Sequence, residues 1–423
     1  MSGEHAFQVA ESLVTPWPLK IRRATLCRIV DEELRLIDNC LVTVFVHPDS
    51  FTGEDTVEIA THGGNYIPVR LVQACIANGA RSALPGEFTR RAVLAGKLDI
   101  TQAEAIGDLI DARSGAMHRT ALEQLDGGLR HRIEALRTKL LTLQALIAYD
   151  IDFPEEDDGP IARSQIAGEA ENMVKAFDAM LATIPAGEMI REGAVVVIAG
   201  EPNVGKSSLF NGLLGQSRAI VTEIPGTTRD AIEGFVEAPV WPLRLVDTAG
   251  FRETQDTIEK MGIEVSERYL KRAHIVLVCG DSEDSIQRTA DAVTGKTSGS
   301  LIRVWTKSDL GIAPGTDTGI EVSAITGEGF EELLTAIDEE LSNAVGSAIV
   351  EAPILMKTRH IFAIQQAREE LVQFSTSWLE EHLPAPVAAV HLQSATLALE
   401  SLIGAVSTDD VLDRVFSSFC VGK

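Results

Sequence analysis

Apolar residues change their spacing three times along the chain, and each change marks a different texture. Between residue 1 and about 95, short β-branched runs, LVTVFV at 41–46 and TVEIA at 56–60, alternate with turn clusters such as HPDSFTGED and THGGN. That mixture predicts a small α+β domain. From about residue 98 the period lengthens: Leu122, Leu125, Leu129, Ile133, Leu136, Leu140, Leu143 and Ile147 recur at three- and four-residue steps. The expectation is one long helix burying a stripe in a bundle. The acidic run DFPEEDDGP at 152–160 reads as a solvated turn, after which a second helical stretch continues to about 184.

From Gly193 apolar strands alternate with helices: AVVVIA, LRLV, HIVLVC, LIRVW and IEV. This is α/β texture on a mostly parallel sheet. After about 350 the helical period returns in HIFAIQQAREELVQF and VAAVHLQSATLALESLIGAV. The fold class expected is therefore multidomain: an α+β amino-terminal domain at 1–95, a discontinuous all-α domain at 96–190 and 350–423, and an inserted α/β domain at 191–349. A chain of 423 residues is long enough for two or three such cores.

Composition narrows the partners. With 62 acidic against 37 basic residues the formal charge is -25, so the mean field opposes nucleic acid. An RNA substrate then needs a local basic patch or a separate basic partner. Cysteines at 27, 40, 75, 279 and 420 form no CxxC pair and no zinc-ligand cluster, which fits a reduced cytosol. No apolar run approaches the roughly 18–20 residues that span a bilayer. The start MSGEHAFQVAESL lacks a basic end and apolar stretch, so a soluble cytoplasmic protein is expected.

Directly after AVVVIA stands GEPNVGKSS, residues 200–208, which matches G-x-x-x-x-G-K-[ST] in the strand-to-helix position that phosphate binding needs. Backbone N–H groups from Asn203, Val204, Gly205 and Ser208, with the helix amino end, form an anion cradle. Lys206 neutralises β/γ oxygens and the Ser207 hydroxyl ligates magnesium. GTTRD at 226–230 adds Thr228 for the metal, and DTAG at 247–250 adds Asp247, Thr248, Ala249 and Gly250 around the metal and γ-phosphate. In TKSD, residues Thr306, Lys307, Ser308 and Asp309, the aspartate accepts from the guanine N1 and N2 edge. Adenine offers no such pair of donors. SAI, residues Ser323, Ala324 and Ile325, places a backbone N–H on guanine O6. Thr306 stands where asparagine is usual, so weaker bracing of the loop is expected rather than lost guanine selectivity.

Hydrolysis poses a further question. Phe251 occupies the place where many small GTPases carry a water-orienting glutamine. Arg252, Glu253, Asp256 and Glu259 in the following polar segment are the candidates for that task. The transition state also needs positive charge at the β/γ bridge, and Asn203 offers a carbonyl suited to a monovalent cation.

Taken together, SFTGEDTVEIATHGG (50–64), LPGEFTRRAVLAGKLDITQAEAIGDLIDA (84–112), DIDFPEED (150–157), GTTRD, DTAGFRETQDTIEKMGIE and the terminal FSSFCVGK resemble the tRNA modification GTPase MnmE (TrmE) family from end to end. The resemblance implies a folate-binding, dimerising amino-terminal domain, a discontinuous helical domain and an inserted Ras-like P-loop G domain. It implies a homodimer that joins the flavoprotein MnmG (GidA) in a heterotetramer. That complex adds an aminomethyl-type group to C5 of the wobble uridine of certain tRNAs, using a 5-formyl- or methylene-tetrahydrofolate unit. The partner would carry most of the RNA contact that a charge of -25 disfavours.

Carried over by position, Asn203 looks like a potassium ligand, with Thr222, Ile224 and Thr227 in the loop that also holds Glu223, Pro225 and Gly226. Glu259 matches the glutamate that orients the nucleophilic water, and Arg252 lies in the same segment. Glu58, Lys97 and the terminal Lys423 match folate-associated positions. Family members begin about twenty residues earlier, with a folate-contacting arginine ahead of the run in which this chain starts. Either the start is assigned too late, the favoured expectation, or this is a version with a damaged folate site; as the chain stands, weak folate binding and a missing first strand of the domain are expected. Cys420 is open between a nucleophilic or acid role and buried packing beside Phe416 and Phe419. A carboxyl-terminal lysine and the lack of a polybasic stretch set a lipid anchor aside. The alternative is a ribosome-assembly or stress-response GTPase switch, which would carry an RNA-binding module or a second G domain in place of residues 1–190.

Overall fold

The computed structural model describes residues 1–152, 163–216, 232–247, 267–311, 319–346, 352–379 and 385–404. The chain divides into two units, Met1–Gly107 with Glu400–Lys423, and Asp108–Leu399.

In the first unit α1 (Ala6–Leu13) leads into β1 (Val14–Thr15), β2 (Thr25–Val30), β3 (Leu36–Phe45) and β4 (Thr56–Ala60), followed by α2 (Ile67–Ala77) and α3 (Glu87–Leu94); α4 (Ile100–Ile110) begins in this unit and runs past Gly107. The strands form one antiparallel sheet in the order β1-β2-β3-β4. Strict alternation along β3 turns Asp38, Cys40, Val42 and Val44 to the buried face. There they join Cys27 and Ile29 of β2, Leu13 of α1 and Leu71, Ala74 and Cys75 of α2 in one core. Cys40 stands opposite Cys27 in register, and burial pushes its thiol up to about 11. Met1–Gly3 lies along the outer edge of β4: the Met1 ammonium donates to Val57 O at 2.8 Å and Ser2 bridges Thr56.

Two of the signature stretches meet here. Arg91 of α3 donates to Glu54 Oε2 at 2.7 Å and to Ser2 O at 3.3 Å, and Ser2 Oγ lies 2.6 Å from Thr52 Oγ1. Glu87 accepts from Arg81, from the Leu84 amide at 2.8 Å and from Arg91 Nη2 at 2.6 Å. The Arg81 guanidinium first, then the Leu84 amide and Arg91, hold its carboxyl at about 2 against the partial burial that opposes them.

The second unit opens with α5 (Gly115–Leu125), α6 (Gly128–Asp152), α7 (Arg163–Leu181) and α8 (Ile184–Glu192). The single long helix expected from the leucine stripe is two helices. Asp126 and Gly127 break it, Gly127 at φ +89, a left-handed value that glycine adopts without a Cβ clash. Leu129, Ile133, Leu136, Leu140, Leu143 and Ile147 all belong to α6 and are buried, whereas Leu122 on α5 is 39% exposed.

Next come β5 (Ala194–Gly200), α9 (Lys206–Gln216), β6 (Ile232–Glu237), β7 (Pro242–Asp247), β8 (Ile275–Gly280), α10 (Glu283–Val293), β9 (Ser300–Thr306), β10 (Ile320–Val322) and α11 (Phe330–Val345). The sheet runs β10-β9-β8-β5-β7-β6, parallel except for the edge pair β6/β7. β6 is absent from the sequence reading because IEGFVE lacks an apolar run. Val196 and Ile198 of β5 face a core with Leu209, Phe210 and Phe330, while Val195 and Val197 face Ile286 and Val293. A strand covered on both faces explains why AVVVIA is continuously apolar.

The chain ends its described part with α12 (Thr358–Leu379) and α13 (Ala385–Ile403). α12 packs along α7, with Phe177 and Phe374 fully buried. Before α12, residues 352–357 run against α8: Leu355 N donates to Thr183 Oγ1 at 3.0 Å, and a Cβ on Gly187 would meet Leu355 O at 2.0 Å. The chain thus enters and leaves the sheet region side by side.

Candidate functional site

The site begins where β5 ends. Gly200 closes the strand, Asn203 and Gly205 take left-handed φ values of 66° and 100°, and Lys206 starts α9. The turn lays the loop over the amino end of the helix, where unpaired N–H groups attract phosphate. Lys206 is 7% exposed, and its Nζ donates to Glu201 O at 2.7 Å, which keeps the ammonium at the mouth of the loop.

Asp247 ends the neighbouring strand β7, in register with Ile198, and is 2% exposed. Ser207 Oγ donates to its Oδ2 at 2.8 Å. A hydroxyl and a carboxylate oxygen converging beside a phosphate loop are hard donors that suit magnesium, which is usually held by one or two protein oxygens plus substrate phosphates. These residues fit that ion.

The candidate base-reading side follows β9. Thr306 is 7% exposed, and its hydroxyl bonds the Val204 carbonyl and lies 3.2 Å from Gly280 O. Lys307, at φ 63°, sends Nζ to Asp281 Oδ2 at 3.2 Å. Asp309 accepts from Ser323 Oγ at 2.8 Å, and the fully buried Ser323 also receives the amides of Ile325 at 3.3 Å and Thr326 at 3.2 Å. TKSD and SAI are therefore one assembly, with the Asp309 carboxylate oriented and Ile325 85% exposed beside it. Cys279 lies beneath the loop, where complete burial pushes its thiol up to about 12.

Sixteen residues singled out from sequence have structure to report. Asn203, Val204, Gly205, Lys206, Ser207, Ser208, Asp247, Thr306, Lys307, Ser308, Asp309, Ser323, Ala324 and Ile325 gather at the carboxyl ends of the parallel strands. Glu58 and Lys97 belong to the other unit, both exposed, Glu58 opposite Thr43 on β4 and the Lys97 stem against Gly53. Thr222, Glu223, Ile224, Pro225, Gly226, Thr227, Thr228, Thr248, Ala249, Gly250, Arg252, Glu259, Cys420 and Lys423 lie outside the described residues. Glu201, whose carboxylate accepts from both Ser285 and Arg288 beside the loop, was missed with them, because no motif spacing joins residues 84 and 87 positions apart.

A lysine at the loop mouth, a hydroxyl–carboxylate pair for a hard cation and a braced aspartate for a purine edge define a P-loop GTPase. The comparisons narrow that class. The family models for the MnmE helical domain and for the GTP-binding protein TrmE N-terminus match residues 100–420 and 1–97. The tRNA modification GTPase MnmE of Akkermansia muciniphila is 42% identical over 407 residues, 96% of this chain and 90% of that protein. Those of Neisseria meningitidis serogroup A and Aquifex aeolicus are each 39% identical over 100% of this chain and 95% of theirs. This chain belongs to the MnmE (TrmE) family. Among solved structures, the G domain of the T. maritima FeoB iron transporter is 27% identical over 35% of this chain and 99% of that chain. Its TM-score of 0.28 adds nothing to the assignment. Among the described residues no helix is long and apolar enough to cross a membrane.

Proposed function

We propose that this chain is the GTP-hydrolysing component of a tRNA-modifying enzyme. In the cytoplasm a homodimer joins the flavoprotein MnmG (GidA) in a heterotetramer. The complex adds a carboxymethylaminomethyl or aminomethyl group at C5 of the wobble uridine, drawing one carbon from 5-formyl- or methylene-tetrahydrofolate. The supporting observation is likeness along the whole chain, 39–42% identity over 96–100% of it, to proteins named tRNA modification GTPase MnmE.

In this reading GTP binds with its phosphates on the 203–208 loop and its base between Asp309 and the 323–325 loop. Lys206 neutralises β/γ oxygens, while Ser207, Thr228 and Asp247 hold magnesium, which supplies charge neutralisation when bound. Asn203, Thr222, Ile224 and Thr227 hold potassium, and pairing of two G domains completes that site. Glu259 orients the attacking water, with Arg252 in the same segment. Folate lies by Glu58, Lys97 and the tail residue Lys423, where Cys420 is either a reactive group or packing. The organisation is a folate domain at 1–95, a helical domain at 96–190 and 350–423, and a G domain at 191–349. Mass spectrometry of wobble uridines from cells lacking the chain tests this function: loss of the C5 group is expected, and unchanged modification overturns it.

A further inference from the structure

The phosphate loop GEPNVGKS carries an acid, Glu201, inside an element built to receive a triphosphate. A carboxylate there opposes the charge of the ligand. The structure contains its compensation. Arg288 donates from Nε to Glu201 Oε1 at 2.8 Å and from Nη2 to Oε2 at 3.2 Å, a forked contact that fixes both charge and direction. Ser285 Oγ donates to the same Oε2 at 3.0 Å. Ser285 and Arg288 are three apart on α10 and therefore share a face, and Ser285 is 2% exposed in the first turn capped by Ser282.

The same residue holds the lysine of the phosphate loop. Glu201 O receives Lys206 Nζ at 2.7 Å, so the backbone position of Glu201 sets where the phosphate-binding ammonium rests. α10 and its entry reach the other edge of the site as well. Asp281 takes the Lys307 ammonium at 3.2 Å, and Gly280 O lies 3.2 Å from the Thr306 hydroxyl. Residues 280–288 thus tie the phosphate loop to the base loop.

The side chains of Arg288 and Glu201 are 62% and 38% exposed, so their pairing adds little to stability. Its effect falls on the loop's field and position. We propose that Arg288 is a positioning residue for GTP: with Ser285 it neutralises Glu201 and fixes the loop residue that carries Lys206.

This inference goes beyond the tRNA-modification reading and depends on nucleotide binding alone. Titration of the full-length chain with a fluorescent GDP analogue, alongside steady-state GTP hydrolysis, tests it. Arg288→Ala leaves Glu201 unneutralised, and its nucleotide Kd rises about tenfold as one charge-assisted contact is lost, with kcat at saturation within twofold of the parent. Glu201→Gln keeps a carbonyl for Ser285 and removes the charge that opposes the ligand, so its Kd falls below that of the parent. The double variant Glu201→Gln/Arg288→Ala recovers most of the lost affinity, because the repulsive charge is gone. The Arg288→Ala deficit also shrinks at high salt, as screened repulsion must. An Arg288→Ala Kd within twofold of the parent overturns the proposal. So does a double variant as weak as Arg288→Ala.

Discussion

The hydroxyl of Thr306 bonds the carbonyl of Val204, so the TKSD loop proposed to read the base is joined to the glycine-rich loop proposed to hold the phosphates. One hydroxyl proton serves two neighbouring carbonyls, Val204 and Gly280, where an asparagine amide would bring two N–H donors. Thr306→Val keeps the shape and removes the bond. It should weaken GDP and GTP about tenfold, the effect of a buried hydrogen bond worth about 1–1.5 kcal/mol, with preference over ATP retained. Calorimetric titration reads both, and unchanged affinity would show that the hydroxyl braces nothing.

Asp309 receives the Ser323 hydroxyl at 2.8 Å, which leaves carboxylate lone pairs for the two donors of a guanine edge. Asp309→Asn replaces an acceptor with a donor amide. The variant is expected to lose GTP hydrolysis at micromolar nucleotide and to recover it with xanthosine triphosphate, whose C2 carbonyl accepts. Equal loss with both nucleotides would remove Asp309 from base reading.

If Asn203 and its partners hold potassium, GTP turnover runs faster in potassium chloride than in sodium chloride at equal ionic strength. Glu259→Ala is expected to lower kcat by about a hundredfold or more, the usual scale of general acid–base assistance, with nucleotide affinity kept. Equal rates in the two salts would sink the cation assignment.

Glu87, held at about 2 by Arg81, the Leu84 amide and Arg91, makes a signed pH prediction for the amino-terminal domain. Its folded-state value lies below the ordinary 4.5, so its stabilising contribution is full above 4.5 and fades as pH falls towards about 2. Glu87→Gln should melt at lower temperature than the parent at neutral pH, with the difference closing across that window. Parallel melting curves from pH 6 to 2.5 would place the effect elsewhere.

Much of the site was legible because phosphate and purine chemistry forces residue types into fixed order on strand ends. GEPNVGKS, DTAG, TKSD and SAI each follow an apolar strand, and the strands announce themselves by β-branched runs. The helix break at Asp126 and Gly127 was not legible from apolar spacing, since the leucine period runs straight through it; only the glycine pair marked it. β6 escaped because an edge strand alternates and shows no continuous run. The contacts of Glu201 with Ser285 and Arg288 escaped for a different reason: they depend on how α10 docks beside β5. Nothing local encodes that.

Gly187 and Leu355 touch through backbone, one on the way into the sheet and the other on the way out. Glycine at 187 is thus a hinge pin: any side chain there would force the incoming helix α8 and the outgoing segment before α12 apart together, and with them Ala186, Met189, Ile190 and Met356, which share one apolar core with β5 and β7.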